Sequence, residues 1–275
     1  MALREAVHPL MRANGSEHVT VEDLTQVFDD GDKSLMALSR VNLRVRSGEF
    51  VSVIGPSGCG KSTLLRVIGG LLAPTQGRIR LDGRSPREAQ RHKEIGYVFQ
   101  DPSLFPWRTV LSNVALPLEV NRRGAGNGRA RHRSPRELLE LVGLEEFERY
   151  YPGELSGGMQ QRVAIARALV FEPALLLMDE PFGALDEITR QAMRYELLRI
   201  WQAGSDTSPK TVVFVTHSIP EAIALSDRVA VLSSSPGSVR AVIDIDLPRP
   251  RGEGMETDES FLRYAVQLRS LLRER

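Results

Sequence analysis

The segment GPSGCGKST at 55–63 fits the phosphate-loop pattern, with Gly55, Gly60, Lys61 and Ser62 in register between an apolar run and a helix-like run. Glycines at such spacing let successive backbone N–H groups turn inward as an anion nest, and a following helix N-terminus adds positive dipole. Lys61 is then placed to reach β- and γ-phosphates, and Ser62 to offer a hydroxyl to Mg²⁺. The run LLLMDE (175–180) supplies a second half for such a site: Asp179 at a buried strand end as a carboxylate for the metal, and Glu180 beside it to polarise a water. Gln100 in VFQD and His217 in TVVFVTH each follow an apolar run; taken singly, a surface glutamine and a structural histidine are the plainer readings. LSGGMQQR (155–162) opens a further helix from a serine and two glycines, read either as an ordinary N-cap at Ser156 or as a second anion-binding helix end.

The elements that must position these residues follow from pattern. EFVSVIG, ALLLMDEP and TVVFVTH are continuously apolar, as strands buried on both faces of a parallel sheet are. Ligands bind outside the carboxyl ends of such strands, where Gly55, Asp179 and His217 would cluster. HVTVEDLTQVF, ALSRVNLRVRSG and GRIRLDG alternate with Gly or Asp-Gly punctuation, which predicts strands and hairpins. KSTLLRVIGGLL predicts a helix with Leu64, Leu65, Ile68 and Leu71 on one face. From about Ser103 to Leu169 the chain reads as helical, and Ser134, Pro135 and Glu137 make a capping box closed by Gly143. A helix is expected over about 186–203, then shorter strands in RVAVLSSSPGSV and AVIDIDLPRPR. Alternating strand and helix give an α/β core with a largely parallel sheet. ESFLRYAVQLRSLLRER places Phe261, Ala265, Leu268 and Leu272 at helical spacing; the helix either docks on the domain or touches a membrane surface.

The whole chain has 275 residues, 36 Lys+Arg against 35 Asp+Glu and a formal net charge of +1, so no molecule-wide field selects nucleic acid or an anionic membrane. Cys59 is the single cysteine, so no intramolecular disulfide forms, and inside the loop it is either a small space-filler or a redox sensor. Residues 1–17 show little periodicity and no secretory signal, and are expected to be a loose leader on a chain that stays in the cytosol. No apolar run approaches the roughly 20 residues needed to span a bilayer, so membrane work would require another chain. RRGAGNGRARHR (122–133) reads as a solvated loop or as a contact to lipid headgroups or RNA.

Taken in order, GPSGCGKST, VFQD, LSGGMQQR, LLLMDEPFGALD and VTH resemble the nucleotide-binding subunit of ABC transporters over about residues 18 to 250. The resemblance implies a P-loop NTPase (RecA-like) core with a mostly parallel sheet, an antiparallel β subdomain and a helical subdomain inserted at about 102–168, with residues 251–275 as a C-terminal amphipathic helix. It implies ATP and Mg²⁺ as ligands, and a homodimer that closes head to tail on two ATP molecules. The phosphate loop, Gly55, Pro56, Ser57, Gly58, Cys59, Gly60, Lys61, Ser62 and Thr63, would hold the phosphates. Ser62, Gln100 and Asp179 would hold the metal, Gln100 would also hold the attacking water, Glu180 would be the general base, and His217 the γ-phosphate contact that orders the site. Ser156, Gly157 and Gly158 would close on the partner's ATP, and Asp186 would couple the two sites. Phe28 is the match for the ring that stacks on adenine, its other reading being a core phenylalanine. Met159 and Gly183 depart from the family's usual glutamine and serine, so neither side-chain role carries over.

Further stretches, LFPWRTVLSNVALPLEV, DEPFGALDEITRQAM, FVTHSIPEAIALSDRV and IDLPRPR, resemble the ATPases of importers for nitrate, sulfonate, taurine and related solutes. That implies an integral membrane permease, an extracytoplasmic substrate-binding protein and a place at the cytoplasmic face of the inner membrane. Phe105, Pro106 and Trp107 are the candidate contact to the permease, or else anchor their own loop. Two other readings stand beside this one: a nucleic-acid-associated or regulatory ABC-type ATPase, which the charge of +1 does not favour, and a small-molecule kinase or simple P-loop hydrolase, which has no use for LSGGMQQR.

Overall fold

Two β-sheets with different hydrogen-bond patterns organise the chain, and the sequence already separates them into alternating and continuously apolar strands. The computed structural model describes residues 16–29, 31, 33–121, 132–203, 210–252 and 254–273. The leader expected at 1–17 and the arginine- and glycine-rich stretch at 122–133 lie almost wholly outside the described residues. The first elements are β1 (Glu17–Asp29), β2 (Ser34–Arg46), β3 (Phe50–Ile54), α1 (Lys61–Ile68), β4 (Gln76–Leu81), α2 (Pro86–Arg91) and β5 (Ile95–Val98). Next come α3 (Val110–Val120), α4 (Pro135–Leu141), α5 (Gly157–Leu169), β6 (Leu175–Asp179) and α6 (Glu187–Ala203). The chain continues through β7 (Thr211–Val215), α7 (Ile219–Leu225), β8 (Arg228–Leu232), β9 (Val239–Asp244) and α8 (Glu259–Arg273).

β1, β2 and β4 form a three-stranded antiparallel sheet in the order β2-β1-β4. The second sheet runs β5-β6-β7-β3-β8-β9, parallel except for β9, which pairs antiparallel with β8. The expected α/β core with a mostly parallel sheet and a separate antiparallel sheet is therefore present. Every residue of β3, β6 and β7 is buried, as their unbroken apolar runs require. Val51 and Val53 pack with Leu64, Leu65 and Ile68 of α1 and with Val19, Leu38 and Val41 of the antiparallel sheet. Phe50 points the other way, into the layer that holds Phe214, Phe182 and helices α3 to α6.

α1 is shorter than the sequence predicts. It stops at Ile68, where Gly69 caps it and Gly70 turns the chain at φ 70°, so Leu71 leaves the expected apolar face and is 53% exposed. The SPRE box at 134–137 starts α4, with Glu137 reaching back to the Ser134 N–H at 3.4 Å. The same four residues at 85–88 cap α2, which the sequence reading missed. There the Ser85 N–H donates to Glu88 Oε2 at 2.8 Å and the Glu88 N–H to Ser85 Oγ at 3.4 Å.

α8 docks as one of the two readings expects: Phe261 and Leu268 are buried against Ala222, Ile223 and Ile54. The IDLPRPR stretch leads into it. Arg251 is buried and donates to the carbonyls of Ile223, Ser226 and Ile245, closing the C-terminal end of α7, while Arg249 lies 4.6 Å from the Trp201 ring and 2.8 Å from Asp227. Among the described residues no helix is long and apolar enough to cross a membrane.

Candidate functional site

β3 delivers the chain to the phosphate loop at the carboxyl edge of the parallel sheet. Gly60, the residue before α1, has φ 94°, and an ideal Cβ there would sit 2.6 Å from Leu38 Cδ2 and 2.8 Å from the Ala37 carbonyl. Only glycine meets both demands. Gly58 also has a positive φ, yet nothing lies within 4 Å of its missing Cβ, so there the backbone angle alone favours glycine. Cys59 is buried behind the loop, its sulfur 2.6 Å from an ideal Gly55 Cβ and its carbonyl pressed against Gly237. Burial pushes its thiol up, away from the reactive thiolate, which fits the space-filling reading.

Lys61 is 6% exposed and folds back over the loop, its Nζ donating to the Gly55 carbonyl at 3.0 Å and the Pro56 carbonyl at 3.1 Å. Glu180 Oε1 lies 3.9 Å from the same ammonium. In α1, Ser62 Oγ donates to Asp179 Oδ1 at 2.7 Å, so two oxygen donors already meet beside the loop. Burial raises the Asp179 carboxyl above the ordinary range, and the Ser62 hydrogen bond pulls it part of the way back. These are hard oxygen ligands of the kind Mg²⁺ takes, and one or two of them plus phosphate oxygens suffice for it. Accordingly, among the described residues no group of three or more His, Cys, Asp or Glu side chains gathers to hold a metal alone.

Glu180 follows β6 with φ 44°, a left-handed conformation costly for a residue with a side chain. Its N–H donates to the Val215 carbonyl at 2.9 Å, and the turn closes when the Gly183 N–H donates to the Glu180 carbonyl at 3.0 Å. The Glu180 carboxylate then sits 2.9 Å from His217 Nδ1. Gln100 is exposed beyond β5, its Nε2 3.4 Å from an ideal Cβ on Gly183, so the glutamine borders the same turn. Lys61, Ser62, Gln100, Asp179, Glu180 and His217 are thus brought to one edge of the sheet, the edge at which the sequence reading places Gly55, Asp179 and His217.

Ser156, Gly157 and Gly158 lie elsewhere. Ser156 Oγ accepts from the Met159 N–H at 3.3 Å and caps α5; this N-cap exists whether or not an anion also binds there. An ideal Cβ on Gly158 would be 2.8 Å from Thr189 Cγ2, and one on Gly157 3.3 Å from Leu185, so α5 starts in close contact with the first turn of α6. Asp186 opens α6, its Oδ1 accepting from the Thr189 N–H at 3.0 Å, and hydrogen bonding first from the Thr189 side chain and then from its N–H holds the carboxyl below the ordinary range. Among the described residues no hydrogen bond joins Ser156–Gly158 to the phosphate loop. Phe28 is 42% exposed at the end of β1, so it is not a core phenylalanine. Its strand partner Leu35 lies three residues from Leu38, about 10 Å along β2 from the contact with Gly60.

The sequence reading missed two residues that hold the turns of this site and two that hold the loop at 102–109. Arg190 donates to the Leu185 carbonyl at 2.8 Å and the Phe182 carbonyl at 3.4 Å, and buried Glu221 accepts from the Thr216 hydroxyl. Arg167 donates to the Pro102 and Ser103 carbonyls at 2.6 and 2.8 Å, and Asn113 is buried against the loop before it. A carboxylate and an asparagine embedded in otherwise apolar helical runs were the available signals for Glu221 and Asn113.

Residues 38–183 match the family model described as ABC transporter. An uncharacterized ABC transporter ATP-binding protein of Methanocaldococcus jannaschii is 47% identical over 92% of this chain and 91% of its own length. The aliphatic sulfonates import ATP-binding protein SsuB of Bacillus cereus is 43% identical over 90% of this chain and 94% of its own length. The nitrate import ATP-binding protein NrtD of Synechocystis sp. is 42% identical over 94% and 96%. Among solved structures, a dimeric ATP-binding cassette in a post-hydrolysis state bound to ADP and Pi superimposes with a TM-score of 0.68 at 38% identity, covering 84% of this chain and all of that one.

Proposed function

The chain belongs to the ABC transporter family and is one of its ATPases, with a P-loop NTPase fold and an importer's ATP-binding subunit as its relatives; from that premise we propose that it energises uptake of a small oxyanionic solute such as nitrate, a sulfonate or taurine through a separate membrane permease. The observation that carries the ATPase site is the meeting of Lys61, Ser62, Asp179, Glu180 and His217 at the carboxyl edge of β3, β6 and β7. The solute class is supported by relatives named for sulfonate and nitrate import.

In this reading the loop 55–63 wraps the phosphates, and Lys61 exchanges its two carbonyl partners for β- and γ-phosphate oxygens. Ser62, Asp179 and Gln100 hold Mg²⁺, which when bound neutralises charge on the transferring phosphoryl group. Glu180 takes the proton of the attacking water. His217 holds that carboxylate through Nδ1 and contacts the γ-phosphate. Ser156, Gly157 and Gly158 close on ATP held by a second copy, Asp186 links the two sites, and Phe28 stacks on adenine. A second anion-binding helix end on α5 has a use only if such a copy supplies the nucleotide. The chain works peripherally at the cytoplasmic face of the inner membrane, with an extracytoplasmic binding protein delivering the solute and no nucleic acid involved.

Two experiments test this. Lys61→Ala should weaken binding of a fluorescent ATP analogue by tenfold or more; wild-type affinity sinks the phosphate-loop assignment. Growth of a deletion strain on nitrate, an alkanesulfonate or taurine as sole nitrogen or sulfur source should fail for one of them and return with the intact gene. Normal growth on all removes the proposed solute class.

A further inference from the structure

Two segments must keep their shape for Glu180 and His217 to meet, the turn at 180–186 and the turn at 216–218, and each mixes buried residues such as Phe182 and Thr216 with exposed ones such as Asp186 and His217. We infer that Arg190 of α6 and Glu221 of α7 are positioning residues for ATP hydrolysis, a charged pair that fixes the two turns against each other and so holds the Glu180 carboxylate on His217. The inference rests on the reading of Glu180 and His217 as the hydrolytic pair.

Arg190 acts on the first turn. Its Nη2 donates to the Leu185 carbonyl and its Nε to the Phe182 carbonyl, so one planar guanidinium spans the loop from Pro181 to Asp186. Glu221 acts on the second. Its Oε2 accepts from the Thr216 hydroxyl at 2.5 Å, and that hydroxyl accepts from the Ser218 N–H at 3.0 Å, so both neighbours of His217 are tied to one carboxylate. Glu221 Oε1 and Arg190 Nε lie 3.8 Å apart and join the two halves. Arg194, one turn further along α6 and buried, adds a second guanidinium near Glu221 and pairs with Glu256 at 2.6 Å, which links the segment before α8 to the same cluster.

A carboxylate as buried as Glu221 is an unfavourable choice for stability alone, since an apolar or amide side chain would cost less desolvation. What the charge provides is a fixed distance between two turns that, among the described residues, no backbone hydrogen bond joins, the Glu180 N–H reaching only Val215 at the end of β7. A misplacement of about 1 Å at a reacting centre costs roughly a hundredfold in rate without a comparable cost in binding.

The decisive experiment measures kcat and KM for phosphate release from Mg·ATP by the full chain, with fluorescent-nucleotide affinity and melting temperature alongside. Glu221→Gln, which is nearly isosteric, should lower kcat by about tenfold or more, with KM and nucleotide affinity within about twofold and no lowered melting temperature. Arg190→Lys, which keeps the charge without the fork, should fall between wild type and Arg190→Met. The double variant Arg190→Met with Glu221→Gln should be no slower than the worse single change, because the pair acts as one unit. A wild-type kcat for Glu221→Gln overturns the inference, as does a lower kcat that merely tracks lost nucleotide affinity or lost stability. Glu180→Gln is the control for the site itself: if it hydrolyses ATP normally, the hydrolytic pair is wrong, whereas an inactive Glu180→Gln beside a wild-type Glu221→Gln removes only the positioning role. Should Arg190→Met fail to fold, Glu221→Gln decides alone.

Discussion

Glu180 Oε2 lies 2.9 Å from His217 Nδ1, and the two residues meet because β6 and β7 pair with Asp179 opposite Val215. Each residue is the first or second past its strand, so the sheet register brings the two backbones side by side and the turns that follow aim the side chains at each other. The left-handed backbone at Glu180 is part of the same device, since it turns the chain at once and keeps the carboxylate over the strand ends.

If Glu180 is the general base, Glu180→Gln should lower phosphate release by about 10²–10⁴-fold while nucleotide affinity stays within about threefold of wild type. Unable to finish the reaction, the variant should accumulate as an ATP-dependent dimer on size-exclusion chromatography. Hydrolysis at the wild-type rate contradicts the assignment.

The close approach of α5 to α6 gives a steric prediction. Gly158→Ala puts a methyl 2.8 Å from Thr189 Cγ2, and relieving that overlap in a packed contact costs about 1–3 kcal/mol. Thr189→Ser removes the opposing methyl, so the double variant should regain most of the lost melting temperature. Thermal denaturation of the three proteins checks this. If stability returns and ATP turnover does not, the glycine serves the nucleotide as well as the packing.

How much of this was legible beforehand depended on whether the signal was local. Gly55, Gly60, Lys61 and Ser62 could be assigned from spacing because the nest and the helix start are made by neighbours in sequence. The strands ending in Asp179 and before His217 were legible because burial on both faces leaves only apolar residues in them. α2 was equally legible and was missed, its SPRE cap being the same as that of α4. Leu71 was misplaced because a helical period was carried through Gly69 and Gly70. Arg190 and Glu221 could not have been paired, since their contact depends on how α6 and α7 pack, which no periodicity encodes. Phe28 was placed near the site by resemblance, and only the structure shows the ring exposed.

Glu221 also predicts a pH dependence. Burial is the largest influence on its carboxyl and raises it above the ordinary 4.5, while the Thr216 hydroxyl and then Arg190 pull it back. A carboxyl raised in the folded state holds its proton more tightly than in the unfolded chain, so stability falls as pH climbs from 4.5 through the folded value. Glu221→Gln removes that loss. Its melting temperature relative to wild type should therefore be lowest near pH 4.5 and rise toward pH 7. A difference that shrinks with rising pH reverses the sign and rules out burial as the dominant influence.

The loop at 102–109 combines a buried base with exposed rings, and the two readings of Phe105, Pro106 and Trp107 predict different outcomes there. Asn113 is buried and accepts from the Phe105 N–H at 2.8 Å while donating to the carbonyls of Phe105, Arg108 and Thr109 at 3.0 to 3.2 Å. Arg167 holds Pro102 and Ser103 from the α5 side. Trp107 is nevertheless 72% exposed, its ring 5.1 Å from that of Phe105. As a partner contact, an aromatic presented on a fixed platform has little entropy left to lose when it is covered. Trp107→Ala should accordingly change the melting temperature and the ATPase rate of the isolated chain little. Its binding to the membrane permease should weaken by about 30-fold, the size of a 2 kcal/mol hot spot. Asn113→Ala should do the reverse first, lowering stability by about 1–3 kcal/mol because several loop hydrogen bonds lose their partner. Co-purification with the permease, read beside thermal denaturation of both variants, separates the two, and a Trp107→Ala protein that unfolds early while still binding the permease would return the ring to the role of loop anchor.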